Sequence, residues 1–234
     1  MREFIRDGIN FLGYEISEEQ LDSLLRYSEL LLSWNEKINL TAIREPREVA
    51  VKHFADSLTG LSLLPENARV IDVGAGAGFP SLPLKIMRDD ISVTMLDSLN
   101  KRVSFLNEVI SVLGLKKTAA IHARAEELAK KNGRESYDVC VSRAVARLCV
   151  LSEYCLPYVK IGGSFLAYKG PEVGGELEEA KAAIAALGGE VADIKRYNLP
   201  ASDITHSIIV IKKIRQTPTK YPRNSGKISK SPIS

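Results

Sequence analysis

The stretch Val-Ile-Asp-Val-Gly-Ala-Gly-Ala-Gly-Phe-Pro, residues 70–80, constrains this chain more than any other. A β-branched run ends in three alternating glycines, and "SLPLKIMR", a predicted helix, comes next. Gly74, Gly76 and Gly78 therefore fall between a first strand and its crossover helix. In open α/β sheets that place, at the carboxyl end of a strand, is the ligand crevice. Glycine belongs there because backbone can touch a ligand where a Cβ would collide. The rest of the chain supports such a sheet. "ISVTMLDS", "TAAIHA", "YDVCVSRAV" and "GGSFLAYKG" read as strands separated by helical stretches such as "NKRVSFLNEVISVLG". "EVADIKRYNL" and "THSIIVIKKI" have no helix between them and predict a closing antiparallel hairpin. The expected fold is a doubly wound, Rossmann-like α/β sheet of seven strands.

No strand pattern precedes Val70. In "SEEQLDSLLRYSELLLSW" Leu21, Leu24, Leu25, Leu31 and Leu32 share a helical face, and Ser17 with Gln20 forms a capping-box signature. "EPREVAVKHFADSLTGLSLL" predicts a further helix with Pro46 in its first turn. The expected layout is a helical extension over 1–64, a catalytic domain over 65–215 and a basic arm over 216–234, together one compact unit.

Two ligand classes suit the glycine turn. The dinucleotide fingerprint is G-x-G-x-x-G/A, and Phe79 stands where its third glycine belongs. Asp72, two residues before the first glycine, would oppose a pyrophosphate at the helix N-terminus. The same carboxylate suits a cation. S-adenosylmethionine carries a sulfonium and an ammonium and no phosphate, so D-x-G-x-G-x-G favours it over a nicotinamide dinucleotide. Asp97, at the end of the second strand, is placed to bind ribose hydroxyls with either cofactor. Ala125 and Glu126, after the third strand, lie where an adenine edge would sit.

Charge points to the partner. The chain carries a net charge of +3, yet after Asp203 it has seven lysines and arginines and no acid, so residues 1–203 carry −4. A basic end on an acidic body suggests a polyanion, and "TPTKYPRNSGKISKSPIS" reads as an extended arm. Cys140, Cys149 and Cys155 sit in apolar surroundings without C-x-x-C spacing and read as buried thiols of a cytoplasmic protein. No apolar run reaches the ~20 residues of a membrane helix, and no metal-ligand spacing occurs. The expectations are no membrane, no metal and a monomer.

The residues after the fourth strand narrow the acceptor. "SRAVARL" lacks the proline pair of amino-group methyltransferases, and the cysteines read as buried rather than as a carbon-5 nucleophile. Guanine N7, which has a free lone pair and no proton to lose, needs mainly positioning.

The segments "SWNEKINLTAI", "KHFADSL", "VIDVGAGAGFPSLPLKI", "LDSLNKRVSFL", "HARAEEL", "SRAVA", "YKG" and "KYPRNSGKISKSPI" resemble, in order, those of the RsmG (GidB) family. The resemblance implies S-adenosylmethionine as donor and a guanine of the 530 loop (position 527) in 16S ribosomal RNA, naked or in the 30S subunit, as acceptor. It places cofactor contacts on Gly74, Phe79, Asp97, Ser98, Leu99, Ala125, Glu126 and Arg143, beside Asp72, Gly76 and Gly78 of the loop. Arg143, Asn39, His53 and Asp56 become candidates for the acceptor pocket. Lys169, Lys220, Tyr221, Arg223 and Lys227 become candidate RNA contacts, with Tyr221 stacking on a base. Two alternatives remain: methylation of another RNA, and a non-catalytic RNA-binding assembly factor.

Overall fold

The computed structural model describes every residue except Asn132, Ala201, Ser202, Ile204 and Ser234. Seven strands form one sheet: β1 (Arg69–Val73), β2 (Ser92–Asp97), β3 (Thr118–His122), β4 (Tyr137–Arg143), β5 (Val159–Lys169), β6 (Gly189–Asn198) and β7 (Thr205–Lys213). Their order is β3-β2-β1-β4-β5-β7-β6. The first five are parallel, and β7 runs antiparallel between β5 and β6. The order reverses between β1 and β4, so the crevice opens above the ends of those two strands.

Strand alternation feeds two cores. Val70 of β1 and Leu166 of β5 face one side, and Ile71 and Phe165 face the other. The N-terminal helices α1 (Arg2–Phe11) and α2 (Glu18–Asn35) complete the first core. Leu21, Leu24, Tyr27 and Leu31 of α2 are fully buried, each worth about 1.5–3 kcal/mol of transfer free energy. Leu25 and Leu32, on the flank of that face, are only half-buried. Both capping-box hydrogen bonds form between Ser17 and Gln20. The helix over 46–58 begins at Pro46 and passes through a π-helical segment, Val49–Ala55, before Asp56. The widened turn is a geometry that recurs at functional sites, and it carries His53. Among the described residues no helix is long and apolar enough to cross a membrane. All three cysteines are buried and free.

The C-terminal segment is not an extended arm. Arg134 donates to the carbonyls of Thr217, Pro218 and Tyr221, and Tyr221 and Ile228 are buried in the second core. Arg223 forms a bidentate ion pair with the buried Glu153. A short helix, Ser225–Lys230, then packs on the helix Leu148–Cys155. Tyr221 and Arg223 are thus committed to the fold, because the chain buries apolar area and pairs a buried carboxylate by docking here. Lys220 and Lys227 remain exposed.

Candidate active site

The glycine turn is built by backbone geometry and held from outside. Gly74, Gly76 and Gly78 have φ of +75°, +59° and +94°, the region L side chains avoid. The Gly74 and Ala75 N–H groups donate to Leu96 O at the end of β2. A Cβ on Gly78 would meet Leu82 Cδ1 at 2.3 Å and the Tyr27 hydroxyl at 2.9 Å. That hydroxyl donates to Ala77 O, so the N-terminal extension grips the loop. Tyr27 carries no motif signal. Its spacing reads as plain helix core, and only the tertiary structure reveals its polar end.

A cleft of two chambers runs over this turn. One, of about 200 Å³, lies between Gly74, Asp97 and residues 123–126, with Tyr154 and Val145 closing it. The other, of about 380 Å³, extends over residues 74–77 to Phe79, His53 and Arg143. Asp97 and Ser98 line both. Asp97 is buried, and its Oδ2 accepts from Gly76 N at 2.9 Å and its Oδ1 from Leu99 N at 2.9 Å. Glu126 is buried at the opposite end, in the first turn of the helix Ala125–Leu128.

Three expected contacts lie outside the lining. Asp72 is wholly buried beneath the turn, where it accepts from Ser81 N at 3.3 Å. Burial, only partly offset by Ser81 and Arg143, pushes its carboxyl up to about 7. It bonds to the start of the helix Ser81–Met87 and lies outside the lining of the cleft. Gly78 faces Leu82 and Tyr27, as above. The Leu99 side chain is exposed, and its N–H is taken by Asp97.

A third chamber, of about 400 Å³, adjoins the second and shares His53, Arg143 and Ala144 with it. Ala144 leaves β4 with φ +57°, a strained turn that aims Arg143 into the junction. The guanidinium of Arg143 donates from Nη1 to Asp56 Oδ2 at 2.5 Å and to Lys52 O at 3.0 Å, and from Nη2 to His53 Nδ1 at 3.2 Å. It also lies over the Phe79 ring, 5.1 Å from its centroid, while His53 stacks on the same ring at 4.4 Å. With Nη1 and Nη2 engaged in this way, Arg143 stands between the two chambers.

His53 accepts from Arg143 at Nδ1, so its Nε2 carries the proton and meets Thr41 Oγ1 at 2.8 Å. Burial and the neighbouring Arg143 lower its pKa to about 3, and the ring is neutral. Thr41 is presented by Asn35, whose Oδ1 accepts from Leu40 N and Thr41 N at 2.8 and 2.9 Å. The first asparagine and the threonine of "WNEKINLT" are thereby tied together. Asn39 lies apart, exposed, beside a separate hollow with Ala42 and Arg44. Lys169 lines the third chamber with its ammonium tied to Ala146 O and Glu176. Asp56 is 2% exposed and is clasped on its other oxygen by His206 Nδ1 at 2.6 Å. Burial opposes its ionisation, but His206 and Arg143 outweigh it and hold the carboxyl below its usual range. His206 lies on β7, 150 residues from Asp56, and no local pattern in "THSIIVI" marks it.

The family model of GidB, rRNA small subunit methyltransferase G, matches residues 20–205. The chain belongs to this family. A ribosomal RNA small subunit methyltransferase G of Alkaliphilus metalliredigens is 53% identical over 232 residues, covering 98% of this chain and 97% of that one. Its counterpart from Acetivibrio thermocellus is 50% identical over 235 residues, covering 100% and 97%. Among solved structures, P. horikoshii TYW2 in complex with MeSAdo matches with a TM-score of 0.55 at 16% identity, over 68% of this chain and 61% of that one. The [4+2]-cyclase SpnF matches with 0.58 at 17% identity, over 84% and 97%. These likenesses establish the class I methyltransferase fold.

The residues present fit S-adenosylmethionine. The turn over Gly74–Gly76 is open to the cleft: a Cβ on Gly76 would meet nothing closer than 3.9 Å. Two buried acids line the cleft, Asp97 where the two chambers meet and Glu126 beyond β3. No arginine or lysine is needed for a phosphate, and the cavity wall nearest the turn is backbone.

Proposed function

We propose that this chain transfers a methyl group from S-adenosylmethionine to N7 of a guanine in the 530 loop of 16S ribosomal RNA. The observation that carries the reading is the boundary at Arg143, where the cleft over the glycine turn adjoins a further chamber large enough for a purine. Family membership and the relatives' names support the RNA substrate.

Bound in the first two chambers, S-adenosylmethionine supplies an electrophilic methyl group. In this reading Asp97 accepts from the ribose hydroxyls, residues 123–126 border the adenine, and Ser98 lines the shared wall. Neutral His53 adds no positive charge beside the sulfonium. Its stacking on Phe79 and its bonds to Thr41 and Arg143 fix the rim of the junction. Guanine N7 offers an in-plane lone pair and no proton, so this chain orients the base and excludes water, effects that together supply several kcal/mol of barrier lowering. The exposed Lys220 and Lys227, with the cations around the mouth, attract RNA phosphates. The enzyme works as a monomer in the cytoplasm, where small subunits are assembled.

The test is transfer from labelled S-adenosylmethionine to small-subunit RNA and to 30S subunits, with the modified base mapped by cleavage at 7-methylguanine. Label at one guanine of the 530 loop is expected. Label elsewhere would discard the substrate, and no transfer with cofactor bound would favour an assembly factor. Arg143→Ala is expected to reduce transfer at least 100-fold.

A further inference from the structure

Beyond Arg143 the third chamber also holds a polar group that the proposed methyl transfer does not use, His206. His206 donates from Nδ1 to Asp56 Oδ1 at 2.6 Å. Asp56 is in turn paired with Arg143 at 2.5 Å, so a chain of three side chains runs from the junction to the far wall. With Nδ1 donating to Asp56, Nε2 is the ring nitrogen left for a ligand. Among the described residues Nε2 makes no hydrogen bond. The side chain is 31% exposed, against 3% for Asp56, and it lines the third chamber. The two lysines of that chamber are already paired, Lys52 with Glu48 and Lys169 with Glu176.

A purine whose N7 faces the cofactor through the junction must turn its opposite edge into the third chamber. On guanine that edge carries the N1–H donor. On adenine the same position is an acceptor. We propose that His206, oriented by Asp56, selects guanine by accepting a hydrogen bond from N1–H at Nε2. The inference rests on the guanine-N7 reading above and deepens it by naming the residue that reads the base. Asp56 is then a positioning residue. It fixes which imidazole nitrogen is the acceptor, and its negative charge strengthens that acceptor.

The experiment compares two RNA substrates, identical except for guanine or 2-aminopurine at the acceptor position. 2-Aminopurine keeps N7 and lacks N1–H. The full-length protein and its His206→Ala and His206→Gln variants are assayed for kcat/KM, with cofactor affinity measured separately by calorimetry. The wild type is expected to prefer guanine by about 100-fold or more, as a site that hydrogen-bonds its substrate does. In His206→Ala the guanine rate falls about 10–100-fold, the 2-aminopurine rate changes less than threefold, and cofactor affinity stays within twofold. His206→Gln, which keeps an amide oxygen near Nε2, recovers part of the preference. Equal loss on both substrates would overturn the proposal and leave His206 a structural group. A wild type that methylates neither RNA at this base would overturn the underlying reading, and the proposal with it.

Discussion

Replacing Arg223 with alanine strands a charge inside the protein. The Glu153 side chain is 1% exposed and accepts from Arg223 N at 2.8 Å, from Nε at 3.0 and 3.1 Å and from Nη2 at 2.7 Å. Alanine keeps the backbone donor and removes the guanidinium. Breaking one partner of a buried pair costs about 3–5 kcal/mol, because the other charge remains desolvated. The Arg223 side chain is 24% exposed, so water reaches the vacated space and the lower figure, about 3 kcal/mol, applies. For a chain of this size each kcal/mol moves Tm by about 2–4 °C, which gives a fall of roughly 6–12 °C. The assay is urea unfolding followed by circular dichroism, with calorimetry for Tm. If the stranded charge is the cause, adding Glu153→Gln to Arg223→Ala restores stability, since a neutral amide costs less to bury than a carboxylate. A variant as stable as the wild type that has lost RNA affinity alone would refute this reasoning and return Arg223 to an RNA-binding role.

Gly74→Ala places a Cβ 2.6 Å from Val145 Cγ2 at φ +75°; Val145 is pushed into the cleft, and S-adenosylmethionine affinity measured by calorimetry is expected to fall at least tenfold. Tyr27→Phe leaves the Ala77 carbonyl without its donor, and urea unfolding is expected to show a loss of about 1–2 kcal/mol with weaker cofactor binding. His53 has a folded pKa of about 3 against 6.5 for the free side chain, so between these values the unfolded chain binds more protons. Its contribution to stability is present above about pH 6.5 and is lost as pH falls toward 3. The stability difference between wild type and His53→Gln should therefore change steadily from pH 7 to pH 4, and a constant difference would refute the assignment.

The architecture was legible because it rests on local periodicity. Most strands from Val70 onward are β-branched or apolar runs bounded by turn residues, and two strands joined without an intervening helix pair antiparallel. Gly74, Gly76, Phe79, Asp97, Ala125 and Glu126 line the cleft where the sequence placed them, since each lies at or past the end of one of the parallel strands, whose carboxyl ends share one edge of the sheet. Asp72 and Gly78 belong to the same motif yet lie outside the lining of the cleft. Spacing could not decide that for an aspartate one residue before the end of a strand. Charge misled in the tail, where lysines and arginines read alike: Lys220 and Lys227 are exposed, but Arg223 is matched to a carboxylate 70 residues away.

Short-range pattern and backbone sterics were therefore enough for the sheet, the glycine turn and the class of cofactor. The acceptor side needed the folded chain. Tyr27 reaches Ala77 across 50 residues, Arg143 reaches His53 across 90, and His206 reaches Asp56 across 150. Hydrogen bonds form between groups that folding brings within about 3 Å, and nothing in the local pattern around either partner encodes that distance.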